Sequence, residues 1–330
     1  MPCLSLIIPV FNRPQEVKEL LESLVHQTKT DFEVIIVEDG SQMSSQKIVE
    51  AYQNKLSLFY HFIPNGGPGN ARNYGAKYAI GKYLIVLDSD CIVPPNYIEN
   101  VLTEIKASHA DAFGGPDRAA DDFTDIQKAI NYSMTSFFTT GGIRGGRKKM
   151  DKFYPRSFNM GIKKELYEKL NGFSDMRFGE DIDFSIRLYQ TGSEVRLFPT
   201  AWVYHKRRTD WRKFFRQVYN SGIARINLYL KYPNSLKLVH VLPAAFLLGM
   251  AVSAVASFFW IWSLLPLLIY VLTLFVDAAI RTKSLKIGFL SIIAAFVQLS
   301  GYGCGFLYAT WRRIVLKKNE FSAFQKTFYK

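Results

Sequence analysis

Between Val241 and Val276, and again between Ile287 and Trp311, the sequence carries no charged residue. A buried helical core of a soluble protein seldom runs so far without a charge, whereas one bilayer crossing takes about 20 apolar residues. The first run is too long for one crossing and reads as two spans, about 241–262 and 264–280. Trp260 and Trp262 suit the lipid–water interface between them, and Pro266 suits the first turn of the second helix. A third stretch, about 287–310, is long enough to span, but Gly301, Gly303 and Gly305 would also let it bend back.

Charge placement orients these segments. The chain has 41 Lys and Arg against 28 Asp and Glu, a formal +13. Much of that excess flanks the apolar runs: Lys206, Arg207, Arg208, Arg212, Lys213, Arg216, Lys231 and Lys237 precede the first, and Arg281, Lys283 and Lys286 follow the second. Cytoplasmic flanks accumulate such cations, so both ends of a two-span hairpin are expected at the cytoplasmic face of the inner membrane. A third crossing would put Arg312, Arg313, Lys317 and Lys318 on the far side. The expectation is therefore a multi-pass protein with an even number of crossings, with 287–310 re-entrant or interfacial. Cations beside membrane segments also argue for membrane lipids as partners and against nucleic acid. Cys3, Cys91 and Cys304 form no CxxC pair and leave one thiol over in any disulfide scheme, which fits a reducing compartment.

Before the apolar runs the chain alternates. Leu4–Val10 is short, lacks a basic leader and reads as a strand buried on both faces rather than a signal peptide. Val17, Leu20, Leu21 and Leu24 then repeat at helical spacing behind Pro14. Val34–Val37, Leu58–Ile63 and Tyr83–Leu87 read as further strands, separated by helices through about Asn54 and over Gly69–Ile80. This βαβαβαβ period implies a mostly parallel, Rossmann-like α/β sheet covered by helices. In such sheets ligands bind beyond the carboxyl ends of the strands. The polar clusters Phe11-Asn12-Arg13, Asp39 and Asp88-Ser89-Asp90 all fall there.

Four clusters carry candidate chemistry, and each has a plain alternative. Asn65-Gly66-Gly67-Pro68-Gly69 opens a helix bearing Arg72, which makes either an anion site or simply a turn. Asp88 and Asp90, one residue apart after a buried strand, suit a hard divalent cation or a solvated turn with an Asx cap. Glu180, Asp181 and Asp183 crowd the first turn of a helix that runs to Gln190. They either decorate the helix dipole or supply an ionised general base. His205 heads His205-Lys206-Arg207-Arg208 and either is structural or joins a metal–diphosphate site. Beyond it, Trp211–Tyr229 reads as an amphipathic helix along the membrane or beside an acceptor groove.

Six motifs in register resemble the family 2 glycosyltransferases of the GT-A type fold. They are Ser5-Leu-Ile-Ile-Pro-Val-Phe-Asn12, Val37-Glu-Asp-Gly-Ser41, Gly69-Asn-Ala-Arg-Asn-Tyr-Gly75, Leu87-Asp-Ser-Asp90, Asn159-Met-Gly-Ile162 and Gly179-Glu-Asp-Ile-Asp-Phe-Ser-Ile-Arg187, and the likeness covers roughly residues 4–225. The apolar C-terminus is similar to that of membrane-bound members that build bacterial surface polysaccharides. The resemblance implies that Phe11 packs on a nucleotide base, Asp39 bonds base or ribose, and Arg72 meets the diphosphate. It implies that Pro9, Arg13, Gly67 and Ser89 also line the donor site. Asp90 would hold Mg2+ or Mn2+, with Asp88 on the ribose side supporting the metal and His205 a further ligand. Asp181 would deprotonate the acceptor hydroxyl, with Glu180 orienting it.

The implied reaction is one-step inverting transfer of a sugar from a nucleotide diphosphate sugar, expected to be a UDP-sugar, to a saccharide acceptor, expected to be lipid-linked. Processive members of the family carry Gln-x-x-Arg-Trp. Here Gln217-Val218-Tyr219-Asn220 has the Gln without Arg-Trp, so addition of a single sugar is expected, with Gln217 on the acceptor side. The implied organisation is a catalytic domain over 1–208, an interfacial helix and linker over 209–238, a membrane region over 239–311 and a basic tail over 312–330. Two other readings fit acidic residues on such a chain: a membrane-bound nucleotidyltransferase and a catalytically silent membrane scaffold.

Overall fold

A computed structural model of the chain describes residues 3–118, 123–141 and 153–320. In chain order the elements are β1 (Leu4–Val10), α1 (Pro14–Val25), β2 (Phe32–Asp39), α2 (Gln46–Tyr52), β3 (Leu58–Ile63), α3 (Pro68–Tyr78), β4 (Tyr83–Leu87), β5 (Cys91–Ile92), α4 (Tyr97–Ser108), β6 (Ala112–Gly114) and β7 (Asp117–Arg118). Then come α5 (Asp125–Thr135), α6 (Phe137–Thr140), β8 (Asn159–Lys163), α7 (Lys164–Lys169), α8 (Glu180–Gln190), β9 (Val195–Leu197) and β10 (Val203–His205). The chain ends in α9 (Trp211–Lys231), α10 (Leu238–Ala256), α11 (Leu265–Thr282) and α12 (Leu285–Ala309). They fall into two compact units, one holding 3–118 and 153–206, the other 123–141 and 207–320.

The first unit is built on a seven-stranded sheet of order β3-β2-β1-β4-β8-β6-β9. The pairs among β1 to β4 are parallel, as the alternation predicts, while β8 runs antiparallel to both β4 and β6. Period-two alternation divides each strand between two cores. Leu6 and Ile8, Val34 and Ile36, and Ile85 and Leu87 join Val17, Leu20, Leu21 and Leu24 of α1, with Tyr97, Ile98 and Val101 of α4. Ile7, Ile35, Val37, Leu84 and Val86 face Ala71 and Ala76 of α3 and Phe184 and Leu188 of α8. Each such buried side chain contributes about 1.5–3 kcal/mol, which explains why the strands read as unbroken apolar runs.

Two features of this unit position chemistry. Gly75 lets α3 ride low on the sheet: a Cβ there would lie 2.7 Å from Ile7 Cγ2. A small second sheet, β5-β10-β7, pairs β10 antiparallel to β5 with His205 opposite Cys91. That register carries His205 beside the turn that ends in Asp90.

The second unit gathers α5, α6 and α9 to α12. Its helices include three long and apolar enough to cross a membrane: Leu238–Ala256, Ile261–Thr282 and Leu285–Val315. Pro266 occupies the first turn of α11, as expected, and Trp260 precedes it across a short turn. The third helix differs from the first two: 44% of its apolar window is buried within the protein, against 11% for each of the others. Ala129 and Ile130 of α5 and Phe214 and Val218 of α9 pack on Ile287 and Ala294 of α12. Gly222, Gly301 and Gly305 bring the α9 and α12 backbones so close that a Cβ at any of them would overlap the opposite helix. Polar anchors tie the same bundle. Tyr132 donates to Asp277 Oδ2 at 2.6 Å, Arg281 reaches Asp277 Oδ1 at 2.8 Å, and Lys286 pairs with Asp125 at 2.7 Å. Of the basic tail, 321–330 lies outside the described residues.

Candidate functional site

The carboxyl ends of β1, β2 and β4 open onto one edge of the sheet, and the loops there are locked to one another. Asn12, left-handed at φ 54°, accepts from the backbone N–H groups of Gln42 and Met43 at 2.7 and 3.0 Å, while its own N–H donates to Ser41 Oγ at 2.8 Å. Asn is among the few non-glycine residues that adopt this conformation readily. Pro9 is buried within β1 opposite Val37, and Phe11 follows the strand half-buried.

Asp39 ends β2 with 1% of its surface exposed. Oδ1 accepts from Gly66 N at 2.7 Å and Oδ2 from Gly67 N at 2.8 Å, with Asn65 Nδ2 on the Asp39 carbonyl at 2.8 Å. The carboxylate therefore organises the glycine-rich loop, where Gly67 (φ 91°) caps α3. Asp39→Asn presents an N–H2 to one of these N–H donors. It is expected to destabilise the first unit by ~2 kcal/mol, read as a lower thermal midpoint of the detergent-solubilised protein.

Around the Asp-Ser-Asp turn the charges alternate. Asp90 Oδ1 lies 3.2 Å from His205 Nε2, and the Arg13 guanidinium pairs with the other carboxylate oxygen. Burial works against the Arg13 charge, but Asp90, with Asp88 and Glu16 behind it, outweighs burial and raises the guanidinium's proton affinity. Asp88 Oδ2 faces the same imidazole at 4.0 Å, and Oδ1 accepts from Arg72 Nη2 at 3.0 Å. The His205 ring stacks on Phe158, centroids 4.9 Å apart, and Ser89 is buried between the two acids.

At the start of α8, Gly179 takes φ 84° and releases Glu180 and Asp181 toward different partners. Glu180 Oε1 accepts from Arg72 Nη1 at 3.0 Å. Burial, then the neighbouring Asp181 charge, push the Glu180 carboxyl up against the pull of Arg72. Asp181 Oδ1 accepts from Ile182 N at 2.8 Å, and Oδ2 pairs with Arg156 Nε at 2.6 Å. The third acid, Asp183, is fully buried and held by Arg187 at 2.9 Å and Ser174 Oγ at 2.8 Å, so it stabilises the helix.

Of the residues singled out by sequence, Arg13, Arg72, Asp88, Asp90, Glu180 and His205 are joined by direct charge contacts, with Asp181 next in chain to Glu180. Asp39 and Gly67 meet in the adjoining loop. Gln217 lies in the second unit on α9, where its carbonyl accepts from Ser221 Oγ at 3.0 Å. Arg156 joins the site without having been singled out by sequence, while Asn12 is legible there as part of the Phe11-Asn12-Arg13 cluster. A lone Arg outside any motif gives no signal, but an Asn two residues after a buried strand is a recognisable turn former.

Could the cluster hold a divalent cation? The ligand atoms of Asp90, Cys91 and His205 lie within 4.8 Å of one another. Cys91 Sγ, however, is turned to the Phe158 carbonyl at 3.5 Å, and burial pushes the thiol well up, so it stays protonated. The useful donors are carboxylate oxygens and one imidazole, which fit Mg2+ or Mn2+ better than a thiolate-seeking metal.

The family model for "Glycosyl transferase family 2" matches residues 5–171, half of the chain. The chain belongs to the family 2 glycosyltransferases. GlyG, a glycosyltransferase of Streptococcus pneumoniae, is 32% identical over 223 residues, covering 62% of this glycosyltransferase and 71% of GlyG. An uncharacterized glycosyltransferase of Rickettsia typhi is 38% identical over 107 residues, 32% of this chain and 33% of the relative. The poly(ribitol-phosphate) beta-N-acetylglucosaminyltransferase TarS of Staphylococcus aureus is 37% identical over 111 residues, 32% and 19%. This glycosyltransferase thus matches only a third or less of the length of those last two. Among solved structures, the mannosyltransferase PcManGT of Pyrobaculum calidifontis, in complex with GDP-Man and Mn2+, aligns at TM-score 0.64 and 18% identity over 90% of this chain and 87% of that one. TarS residues 1–349 with UDP-GlcNAc align at 0.50 and 20%, over 95% and 92%. These likenesses establish the GT-A fold of the enzyme.

Proposed function

We propose that this enzyme moves one sugar, with inversion, from a nucleotide diphosphate sugar to a lipid-linked saccharide acceptor at the cytoplasmic face of the membrane, in the synthesis of a surface glycan. The observation that carries this reading is the chain of contacts His205–Asp88–Arg72–Glu180, which brings a cation-binding motif and a helix-start acid pair into one site. The donor is taken to be a UDP-sugar, with Phe11 against the base. Residues 1–208 are assigned to chemistry, 209–238 to an interfacial linker, 239–311 to the membrane and 312–330 to a basic tail.

Transfer breaks the bond between the anomeric carbon and the diphosphate oxygen while the acceptor oxygen bonds the opposite face. Negative charge grows on the departing diphosphate, and the acceptor hydroxyl must lose a proton. Asp90, His205 and Asp88 would hold Mg2+ or Mn2+, which supplies positive charge to the leaving group when bound. Asp181 takes the acceptor proton, being the acid of the pair not held by Arg72. Arg156 steadies its carboxylate and orients the oxygen that receives the proton. Nothing in this scheme requires a covalent sugar–enzyme intermediate, because one base and one leaving-group cation complete the proton and charge balance.

The test is a panel of nucleotide sugars offered to the detergent-solubilised full chain with Mn2+, with and without a lipid extract. Release of nucleoside diphosphate from a UDP-sugar, stimulated by the extract, is the expected result. Pyrophosphate release would identify a nucleotidyltransferase instead, and stimulation only by water-soluble saccharides would remove the lipid-linked acceptor.

A further inference from the structure

Arg72 is the most deeply buried cation of the acidic cluster: its side chain is 4% exposed. Removing a guanidinium from water is costly unless its donors are satisfied, and here the two terminal nitrogens are shared between two motifs distant in sequence while Nε is buried without a hydrogen-bond partner. Nη2 donates to Asp88 Oδ1 and Nη1 to Glu180 Oε1, each at 3.0 Å, and the guanidinium sits 5.2 Å from the centre of the Phe173 ring. The helix carrying it is fastened on the same side. Asn73 Nδ2 donates to the Phe173 carbonyl at 2.8 Å, while Asn73 Oδ1 accepts from Phe173 N at 2.8 Å and Tyr167 Oη at 2.6 Å. Asp88 divides its two oxygens between Arg72 and the His205 imidazole.

We infer that Arg72 is a positioning residue, a buried brace that sets the distance and angle between the Asp88–Asp90 turn and the Glu180–Asp181 acid pair, rather than a ligand of the donor diphosphate. Each of its terminal nitrogens donates to a carboxylate, and the guanidinium carbon lies over the Phe173 ring. The inference rests on the glycosyltransferase reading and deepens it: the leaving-group end and the acceptor end of the reaction are held in register by one side chain. Misplacing reacting groups by about 1 Å costs on the order of 10²-fold in rate. Loss of the brace therefore falls on turnover rather than on donor binding.

Arg72→Lys keeps the charge but replaces the fork with a single ammonium that engages one carboxylate at a time. With Mn2+ present, the expected result is a kcat for transfer reduced about 100-fold. The donor KM, and the calorimetric Kd of UDP or GDP (whichever the wild type binds), should stay within about threefold. Adding Glu180→Gln removes the acid the brace acts on, so Arg72→Lys/Glu180→Gln should be within about threefold of the slower single variant; partners in one network do not add. A nucleoside diphosphate Kd weakened tenfold or more in Arg72→Lys, or two effects that simply multiply, would overturn the inference. A wild type that turns over no nucleotide sugar would overturn the underlying functional reading as well. An active wild type with an unimpaired Arg72→Lys variant would overturn the brace alone.

Discussion

Asp181→Asn is expected to lower transfer by about 10³-fold while leaving nucleoside diphosphate binding intact, since a positioned general base contributes roughly 10²–10⁴-fold. The direction comes from the proton balance: the acceptor oxygen arrives as a hydroxyl, and asparagine offers no basic oxygen to receive its proton. Geometry should survive the change, because the amide oxygen of Asn can still accept from Ile182 N as Asp181 Oδ1 does at 2.8 Å. What disappears is the ion pair with Arg156, whose guanidinium is 38% exposed, so little folding stability goes with it. Two measurements on one preparation decide the matter: the initial rate of nucleoside diphosphate release with acceptor present, and the Kd for the same nucleotide by calorimetry. A variant with wild-type turnover would remove Asp181 from the mechanism and pass the base's role to another group.

The pair Glu180 and Asp181 illustrates what sequence makes visible. Both acids stand in one motif behind a glycine, so their shared location is readable. Their division of labour is not, because it depends on which arginine each one meets. Arg72 reaches Glu180 across 108 positions and Arg156 reaches Asp181 from a loop without a motif. The buried strands are legible for a physical reason: a strand covered on both faces is apolar at most positions, and β1, β2 and β4 are buried along their whole length. The antiparallel insertion of β8 between β4 and β6 is not legible, since short strands carry no mark of their direction. Gly161 of β8 is intelligible only from the fold, as the position where the Phe113 ring lies against bare backbone. The place of α5 in the second unit is likewise hidden. Ile126, Ala129, Ile130 and Met134 announce an apolar face, but not that it packs with Ile287 and Ala294. In the third apolar run, Gly301 and Gly305 serve close packing against α9, a use that glycine spacing alone does not separate from bending.

The cation site gives the second large effect. Chelation with EDTA is expected to abolish transfer, Mn2+ or Mg2+ to restore it, and Asp90→Asn to remain at least about 10³-fold impaired at saturating metal, because a metal supplies several kcal/mol of charge stabilisation to a leaving group. Asp90 is the residue to test because it meets both the His205 imidazole and a competing cation: His205 Nε2 stands 3.2 Å from Oδ1, and Arg13 pairs with Oδ2. A metal ion entering there must share that carboxylate with Arg13 or displace it. Arg13→Gln should therefore tighten Mn2+ binding even if it slows turnover, a divergence that a purely donor-binding Arg13 would not produce. His205→Asn supplies the graded control. It removes one nitrogen donor and leaves both carboxylates, so metal affinity should fall by at least about 10-fold, since even disturbing a ligand's supporting partners costs roughly 10–100-fold, with activity recovering as Mn2+ is raised. Cys91→Ser should leave metal affinity unchanged, since the thiol is protonated and turned to the Phe158 carbonyl. Full activity in EDTA would contradict the site, because the growing diphosphate charge would then have to be met without a metal ion.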